Sequence, residues 1–285
     1  MSETNLAGFS YIYNAVKFDI PFVESIKSVI DVVDQFVLTE CYSQDETWDL
    51  CLQLEAKYPD KVKLLRRPWV KHFTEIAELA NWTMNHIDPK IRYAMELQSD
   101  EVVHEKDLDK LAYVPKLMNN LHKHAARWKY QHFLASPEIV FSFIYSTVVR
   151  IADRTSKWKI IGDGVQFAID GKFCLEEDVL TTDIEIFHYG KMKAPKNAWE
   201  KEWDFQNLFK DVGFPDPRMM QMKEKLGTAY CDYVYLFEET IKKKDSGISR
   251  FTGTHPAVMQ ERIKLFKDMG WEQFQSKVKE GLKLL

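Results

Sequence analysis

Absences narrow this chain first. Its four cysteines, Cys41, Cys51, Cys174 and Cys231, form no Cys-x-x-Cys pair and no metal-ligand spacing. That excludes a zinc ribbon or a dithiol redox motif and fits free thiols in a reducing compartment. No stretch reaches the roughly 20 apolar residues that a membrane helix needs, so no transmembrane segment is expected. The N-terminus lacks the basic and apolar regions of a secretory leader, and the expected location is cytoplasmic. There is no long basic stripe and the net charge is -4, so nucleic acid is not an expected partner. Gly-x-Gly-x-x-Gly after the first strand, the Walker A loop, Gly-x-Ser-x-Gly and His-Glu-x-x-His are all missing. With them go the dinucleotide-binding Rossmann site, the P-loop, the hydrolase elbow and the zincin helix. No repeat, low-complexity tract or Gly/Ser/Pro-rich linker divides the 285 residues.

What is present is a regular first half. Apolar residues make up 45% of the chain and charged ones 29%, ordinary values for a folded protein. Phe9 to Asn14 is strand-like, and Asp19 with Pro21 can open a helix whose buried face is Phe22, Ile26, Val29 and Ile30. A second strand is expected over Gln35 to Thr39. Ser43 and Glu46 have capping-box spacing for the next helix, and Val62 to Leu65 forms a third strand. Thr74 opens a helix that buries Ile76, Leu79, Ala80 and Met84, and the chain returns as a strand over Tyr93 to Leu97. This alternation predicts a parallel sheet covered on both faces. Later the pattern loosens. A helix is expected over Leu108 to His122 and strands over Trp128 to Leu134, Tyr145 to Ile151 and Ile184 to Phe187. The remainder is mainly helical, with Trp271, Phe274, Val278 and Leu282 on one face of the last helix.

The stretch that invites chemistry is Leu97 to Glu105, LQSDEVVHE. An apolar strand ending in Gln98, Ser99, Asp100, Glu101, His104 and Glu105 is what a metal or sugar site at the carboxyl edge of an open α/β sheet looks like. It is equally what a strand end meeting solvent looks like. Adjacent carboxylates repel, so Asp100 and Glu101 call for a cation or a proton nearby.

With this stretch at the end of the fourth strand, the chain resembles the nucleotide-sugar glycosyltransferases of the GT-A fold, closest to bacterial and phage members related to family two. Phe9 to Leu38 is similar to that family's opening strand, helix and second strand. TECYSQDET (Thr39 to Thr47) stands where the family has an acidic residue and a Ser-x-Asp-x-Thr turn. LQSDEVVHE stands at its metal-binding Asp-x-Asp position. HYG (His188 to Gly190) and FTGTHPAVMQERI (Phe251 to Ile263) look like two downstream motifs. The resemblance runs from Phe9 to Ile263 in register.

It implies an α/β, GT-A (Rossmann-like), mostly parallel sheet flanked by helices with a helical C-terminal extension. Residues 1–190 would form the nucleotide-sugar-binding and catalytic core and 191–285 the extension packed on it. It also implies a metal-dependent, inverting transfer from a nucleoside-diphosphate sugar to a glycan, lipid-linked or small-molecule acceptor. Mn²⁺ or Mg²⁺ would sit on Asp100 and His188, the imidazole favouring Mn²⁺. Asn14, Glu40, Ser43 and Asp45 would lie around base and ribose, with Gln98, Ser99 and Asp100 also among the residues that bind donor and metal. Glu101 would face the donor sugar or the acceptor. Asp163, between Gly162 and Gly164, is the candidate catalytic base, with Glu176, Glu177 and Asp178 competing. His255 either closes over the diphosphate or anchors its turn. Two departures stand out. Gln98 replaces the first acid of Asp-x-Asp, and Tyr13 stands where relatives often carry Arg; Lys191, Lys193 and Lys196 are either substitute phosphate contacts or solvated lysines. The rival readings are a non-catalytic nucleotide- or sugar-binding protein and a sugar-phosphate nucleotidyltransferase.

Overall fold

The computed structural model describes residues 4–69, 74–142, 146–161, 166–169, 172–173, 176–194, 196–198, 200–201, 204 and 247–268. Its first half alternates as the periodicity predicts: β1 (Leu6–Ile12), α1 (Phe22–Lys27), β2 (Gln35–Glu40), α2 (Thr47–Lys57), β3 (Val62–Arg66), α3 (Glu75–Met84) and β4 (Tyr93–Glu96). The four strands are parallel, in the spatial order β3-β2-β1-β4. Successive residues point to opposite faces. Leu6, Phe36, Leu38, Tyr93 and Met95 therefore pack on one side with Phe22, Ile26, Val29 and Ile30. Ala7, Phe9, Val37 and Ala94 pack on the other with Ala77, Ala80 and Met84 of α3.

The second half completes the same sheet. It contains β5 (Glu101–Val103), α4 (Leu108–Asn120), β6 (Ala125–Leu134), β7 (Ser136–Phe141), β8 (Thr147–Asp153) and β12 (Val179–Lys191). β8 runs antiparallel to both β4 and β6, and β12 lies parallel to β6. β5 adds antiparallel to β12 and β7 antiparallel to β6, and β13 (Ile248–Arg250) pairs antiparallel with β7. Seven of the ten strands thus share one direction, with β5, β7 and β8 reversed. A small separate sheet is built from β9 (Trp158–Ile161), β10 (Gln166–Ile169) and β11 (Lys172–Phe173). The architecture is α/β, a mostly parallel sheet flanked by helices.

Some local expectations are corrected. β1 ends at Ile12, because Asn14 takes a left-handed conformation, φ 48°, in the turn that follows. α2 starts at Thr47 without a capping box: the Ser43 hydroxyl accepts instead from the Asn14 amide, and Asp45 Oδ1 accepts from the Thr47 amide at 3.1 Å. Strands β5, β7, β9, β10, β11 and β13 were not anticipated. At the C-terminal side, α5 (Gln260–Asp268) ties back to the core through Arg262, which pairs with Asp19 and Glu24 of the β1–α1 region. The expected last helix, with Trp271, Phe274, Val278 and Leu282, lies outside the described residues. No helix among the described residues is long and apolar enough to cross a membrane.

One ion cluster fixes the join between the two halves. Arg150, in the middle of β8, is fully buried, as are Glu96 at the end of β4 and Glu101 at the start of β5. Its Nη1 donates to Glu96 Oε2 at 3.3 Å, and its Nε donates to Glu101 Oε2 at 2.9 Å, with a further bond from Nη2 to Glu101 Oε1. Tyr130 donates its hydroxyl to Glu101 and Tyr11 to Glu96. Burial alone works against the Arg150 charge, but the two carboxylates outweigh it and hold the guanidinium well above its ordinary value. Removing one member of such a cluster strands the others without partners. Arg150→Met is expected to lower the unfolding free energy by about 3–5 kcal/mol, read from urea denaturation. A loss below about 1 kcal/mol would contradict this account of the cluster.

Candidate active site at the end of the fourth strand

The turn from β4 into β5 places the acids. The Glu101 amide donates to the Gln98 carbonyl at 2.9 Å, closing a tight reversal, and β5 then pairs with β12 so that Glu101 stands opposite His188. The Tyr189 amide donates to the Asp100 carbonyl at 2.8 Å. This register carries Asp100, distant in sequence, to the HYG segment. Adjacent in the chain, the two carboxylates find separate cations. Glu101 goes to Arg150. Asp100 meets Lys201, whose Nζ lies 2.7 Å from Oδ2, and His188, whose Nε2 lies 3.5 Å from Oδ1. Burial would raise the Asp100 carboxyl, but the Lys201 and His188 charges outweigh it and hold it well below the usual 3.8.

Gly190 makes this meeting possible. A Cβ built there would lie 2.5 Å from His188 Nε2 and 2.7 Å from Asp100 Oδ2. Behind His188 stands His132, buried and its register partner across β6 and β12, with the two Nδ1 atoms 3.0 Å apart. His132 was not anticipated; its only signal was its place on the same strand face as Trp128 and Tyr130.

The loops after β1 and β2 hold each other. Asn14 Oδ1 accepts from the Gln44 amide at 2.8 Å, and Asp45 Oδ2 accepts from the Lys17 amide at 2.8 Å. Thr47 Oγ1 accepts from the Ala15 amide at 2.8 Å. Glu40 is buried, accepting from the Ser43 amide and from Arg66 Nε at 2.8 Å. The residues expected around base and ribose (Asn14, Glu40, Ser43 and Asp45) thus lie together, spending polar groups on stapling two loops. Ser99 joins them to the site, donating to the Tyr11 carbonyl at 2.8 Å and meeting the Ser10 hydroxyl at 3.0 Å.

The cleft that these elements enclose has a volume of about 190 Å³. Asp100, Gln98, Ser99, Lys201 and Asp204 line its polar part, and Tyr13 and Trp69 its aromatic part. The two rings are stacked, with centroids 5.8 Å apart and planes within 7°. An aromatic wall beside paired charges suits a ligand with a planar ring and an anionic tail. Tyr13 is thus a wall residue where the resemblance raised the absence of an Arg. Trp69 and Lys201 were missed, since nothing in their local spacing marks them.

Other expectations are corrected by placement. Glu101 does not face a sugar: it is fully buried, and Arg150, Tyr130 and the Gln98 amide occupy its oxygens. Lys193 is buried and grips the carbonyls of Phe18 and Asp19 at 2.8 and 3.2 Å, so it shapes the β1–α1 loop. Among these lysines it is Lys201, outside the expected set, that reaches Asp100. His255 anchors its turn: Nε2–H donates to the Pro137 carbonyl at 2.8 Å, leaving Nδ1 to accept from the Tyr189 hydroxyl at 2.8 Å. Glu176, Glu177 and Asp178 precede β12, at the far end of that strand from His188, and Glu176 pairs with Arg127. Asp163 lies outside the described residues.

Whether this site fits a divalent ion turns on its donors. Asp100 Oδ1 and His188 Nε2, 3.5 Å apart, are close enough to share one ion at bonds of about 2.1 Å. No group of three or more His, Cys, Asp and Glu side chains able to hold a metal occurs among the described residues. The pair therefore fits an ion whose remaining ligands come from phosphate oxygens, the usual way Mg²⁺ is held. It does not fit a metal bound by protein alone.

No protein-family model matches the chain, and no curated protein does. Among solved structures it is similar to S. aureus TarS 1–349 in complex with UDP-GlcNAc, at 10% identity, covering 97% of this chain and 89% of that one, with a TM-score of 0.42. It is similar also to the mannosyltransferase PcManGT from Pyrobaculum calidifontis in complex with GDP-Man and Mn²⁺, at 11% identity, covering 98% and 84%, TM-score 0.45. A third is glucosyl-3-phosphoglycerate synthase from Mycobacterium tuberculosis with Mn²⁺, UDP-glucose and phosphoglyceric acid, at 14% identity, covering 74% and 81%, TM-score 0.39. With scores below 0.5, activity is read from this chain's own residues.

Two outcomes are expected of the Asp100 cluster. Gly190→Ala should cost about 1–3 kcal/mol by overpacking and shift the His188 ring signals in an NMR spectrum; unchanged signals would contradict the contact. The Asp100 carboxyl is lowered in the folded state, so its contribution is full above 3.8 and lost as pH falls through its lowered value. The difference in unfolding free energy between wild type and Asp100→Asn should be constant near neutral pH and shrink in acid. A difference that grows in acid would reverse the sign.

Proposed function

We propose that the chain is a glycosyltransferase that moves a sugar from a nucleoside-diphosphate donor to an acceptor, with inversion. The observation that carries this reading is the meeting of Asp100, His188 and Lys201 beside an aromatic-walled cleft at the carboxyl edge of the sheet. Residues 1–190 are proposed as the catalytic core and 191–285 as an extension that contributes Lys201. In this reading Tyr13 and Trp69 hold the base, and the stapled loops at Asn14, Glu40, Ser43 and Asp45 keep that wall in place. Gln98 and Ser99 border the diphosphate. Asp100 and His188 would hold Mn²⁺ or Mg²⁺, which when bound neutralises charge developing on the departing diphosphate. Lys201 supplies a further positive charge from the protein, anchored by Asp100, and so lowers the cost of leaving-group departure.

The acceptor hydroxyl needs a carboxylate to take its proton. Asp163 is proposed from its position between two glycines, and Asp204, which lines the cleft, competes for the role. A glycan, a lipid-linked sugar or a small molecule would serve as acceptor. One observation favours the rival non-catalytic reading: Gln98 stands where a second acid would complete the ligand set.

Calorimetry with UDP and GDP, with and without Mn²⁺, is the test. Mn²⁺ alone should bind weakly, nucleotide should bind at least tenfold tighter with Mn²⁺ than without, and Asp100→Ala should abolish that difference. Slow hydrolysis of the matching sugar nucleotide should accompany binding. Tight binding without hydrolysis supports the non-catalytic rival, and no nucleotide binding at all removes both.

A further inference from the structure

A larger concavity runs beside α3, from Arg67 just after β3 to the loop that precedes β4. Its volume is about 820 Å³, and it is framed by the end of α3, the loop leading into β4 and the turn between β8 and β9. Pro89 to Arg92 line it and precede β4, whereas Asp100 follows that strand, so the two sites occupy opposite ends of one element. The volume falls in the usual range for small-molecule sites, about 300–1,000 Å³.

Its charge is the unusual feature. Six cations line it, Arg67, Lys90, Arg92, Arg154, Lys157 and Lys159, against one carboxylate, Glu78, in a protein whose net charge is -4. Arg67 is answered by Glu75 at 3.2 Å and Arg92 by Asp153 at 2.7 Å. Lys90, Arg154, Lys157 and Lys159 have no carboxylate at salt-bridge distance among the described residues.

Arg154 differs from a solvated surface cation. Its guanidinium donates to the backbone carbonyls of Ile87 at 3.2 Å, Asp88 at 2.8 Å and Ile91. The charge is thereby fixed in place, and burial already depresses it. Trp158, 4% exposed, forms part of the wall, and its indole N–H has no acceptor among the described residues. Pre-positioned guanidinium beside flexible ammonium groups is the donor set that phosphate oxygens satisfy. Three lysines without a carboxylate at salt-bridge distance, around an Arg154 that backbone carbonyls and the nearby Asp88 hold in place, call for a ligand of matching charge density, which phosphoryl groups supply. A flat bilayer would meet the exposed lysines at the rim and leave a concave floor unfilled.

We propose that this cleft is a second binding site, independent of Asp100, for a soluble ligand carrying several phosphate groups.

The test is calorimetry of the full chain with tripolyphosphate at 50 mM salt. Lys90, Lys157 and Lys159 are exposed, so Lys90→Glu, Lys157→Glu and Lys159→Glu together should leave the fold intact, checked by the thermal midpoint. Wild type should bind, with affinity falling as salt rises, and the triple variant should bind at least tenfold more weakly. Should the triple variant fail to fold, Lys157→Gln with Lys159→Gln should still give a clear partial loss. Phosphatidylcholine vesicles containing phosphatidylglycerol, and a single-stranded oligonucleotide, are the comparison ligands. No tripolyphosphate binding, binding unchanged by the charge variants, or binding to vesicles or oligonucleotide alone would each overturn the proposal. Failure of nucleotide binding at Asp100 would leave it untouched, because the two sites share no residue.

Discussion

Arg150 governs where the chemistry of this protein can be. Its guanidinium lies between Glu96, the last residue of β4, and Glu101, the first of β5. Only four residues, Leu97 to Asp100, connect those two carboxylates. Both ends of that connection are pinned to one buried cation, so its apex has little freedom, and Asp100 is at that apex. Buried ion clusters are poor sources of net stability, because desolvating each charge costs several kcal/mol. Their strength is positional: any arrangement that moved Glu101 away would leave a buried charge unmatched. The cluster is therefore best understood as the device that fixes the turn, with β12 then sliding into the one register that sets His188 opposite Glu101.

Much of this was legible in the sequence, but unevenly. The first half was readable because each element carries its own signal: a helical face at Phe22, Ile26, Val29 and Ile30, and short apolar strands with turn residues between them. In the second half α4 and parts of β6, β8 and β12 were readable, but not the way the strands assemble, because their pairing is defined by distant partners. β6 pairs with β8 on one side and β12 on the other, with register shifts on both, and no local period encodes that. Polar residues were the hardest to assign. Ser43 and Asp45 have the chemistry to cap a helix, to bind a ribose or to staple a loop, and residue type alone does not choose between these. In the structure both staple the loops, and Asp45 also accepts from the first amide of α2.

Glu101 shows the limit from the other direction. Its neighbour Asp100 was correctly expected to need a cation, and so was Glu101, yet the cation for Glu101 sits in an apolar strand, Val148 to Ala152, where an arginine carried a signal that went unread. An Arg flanked by Val149 and Ile151, in a strand whose apolar neighbours are buried, demands buried carboxylates, and the sequence offers Glu96 and Glu101. Read this way, the two acids after β4 divide their labour by burial. The one wholly inside holds the fold, and the one lining the cleft pairs with Lys201 and His188.

The same logic extends to the histidines. His188 and His132 face each other through Nδ1 atoms 3.0 Å apart, and a hydrogen bond at that distance needs one proton between them. If His188 is to present a lone pair at Nε2, towards Asp100, the shared proton must reside on its own Nδ1, and His132 must accept. If instead His132 donates, His188 carries its proton on Nε2 and becomes a donor to the Asp100 carboxylate. His132, buried and stacked on Phe141, thus orients the imidazole beside Asp100 through the proton the two rings share.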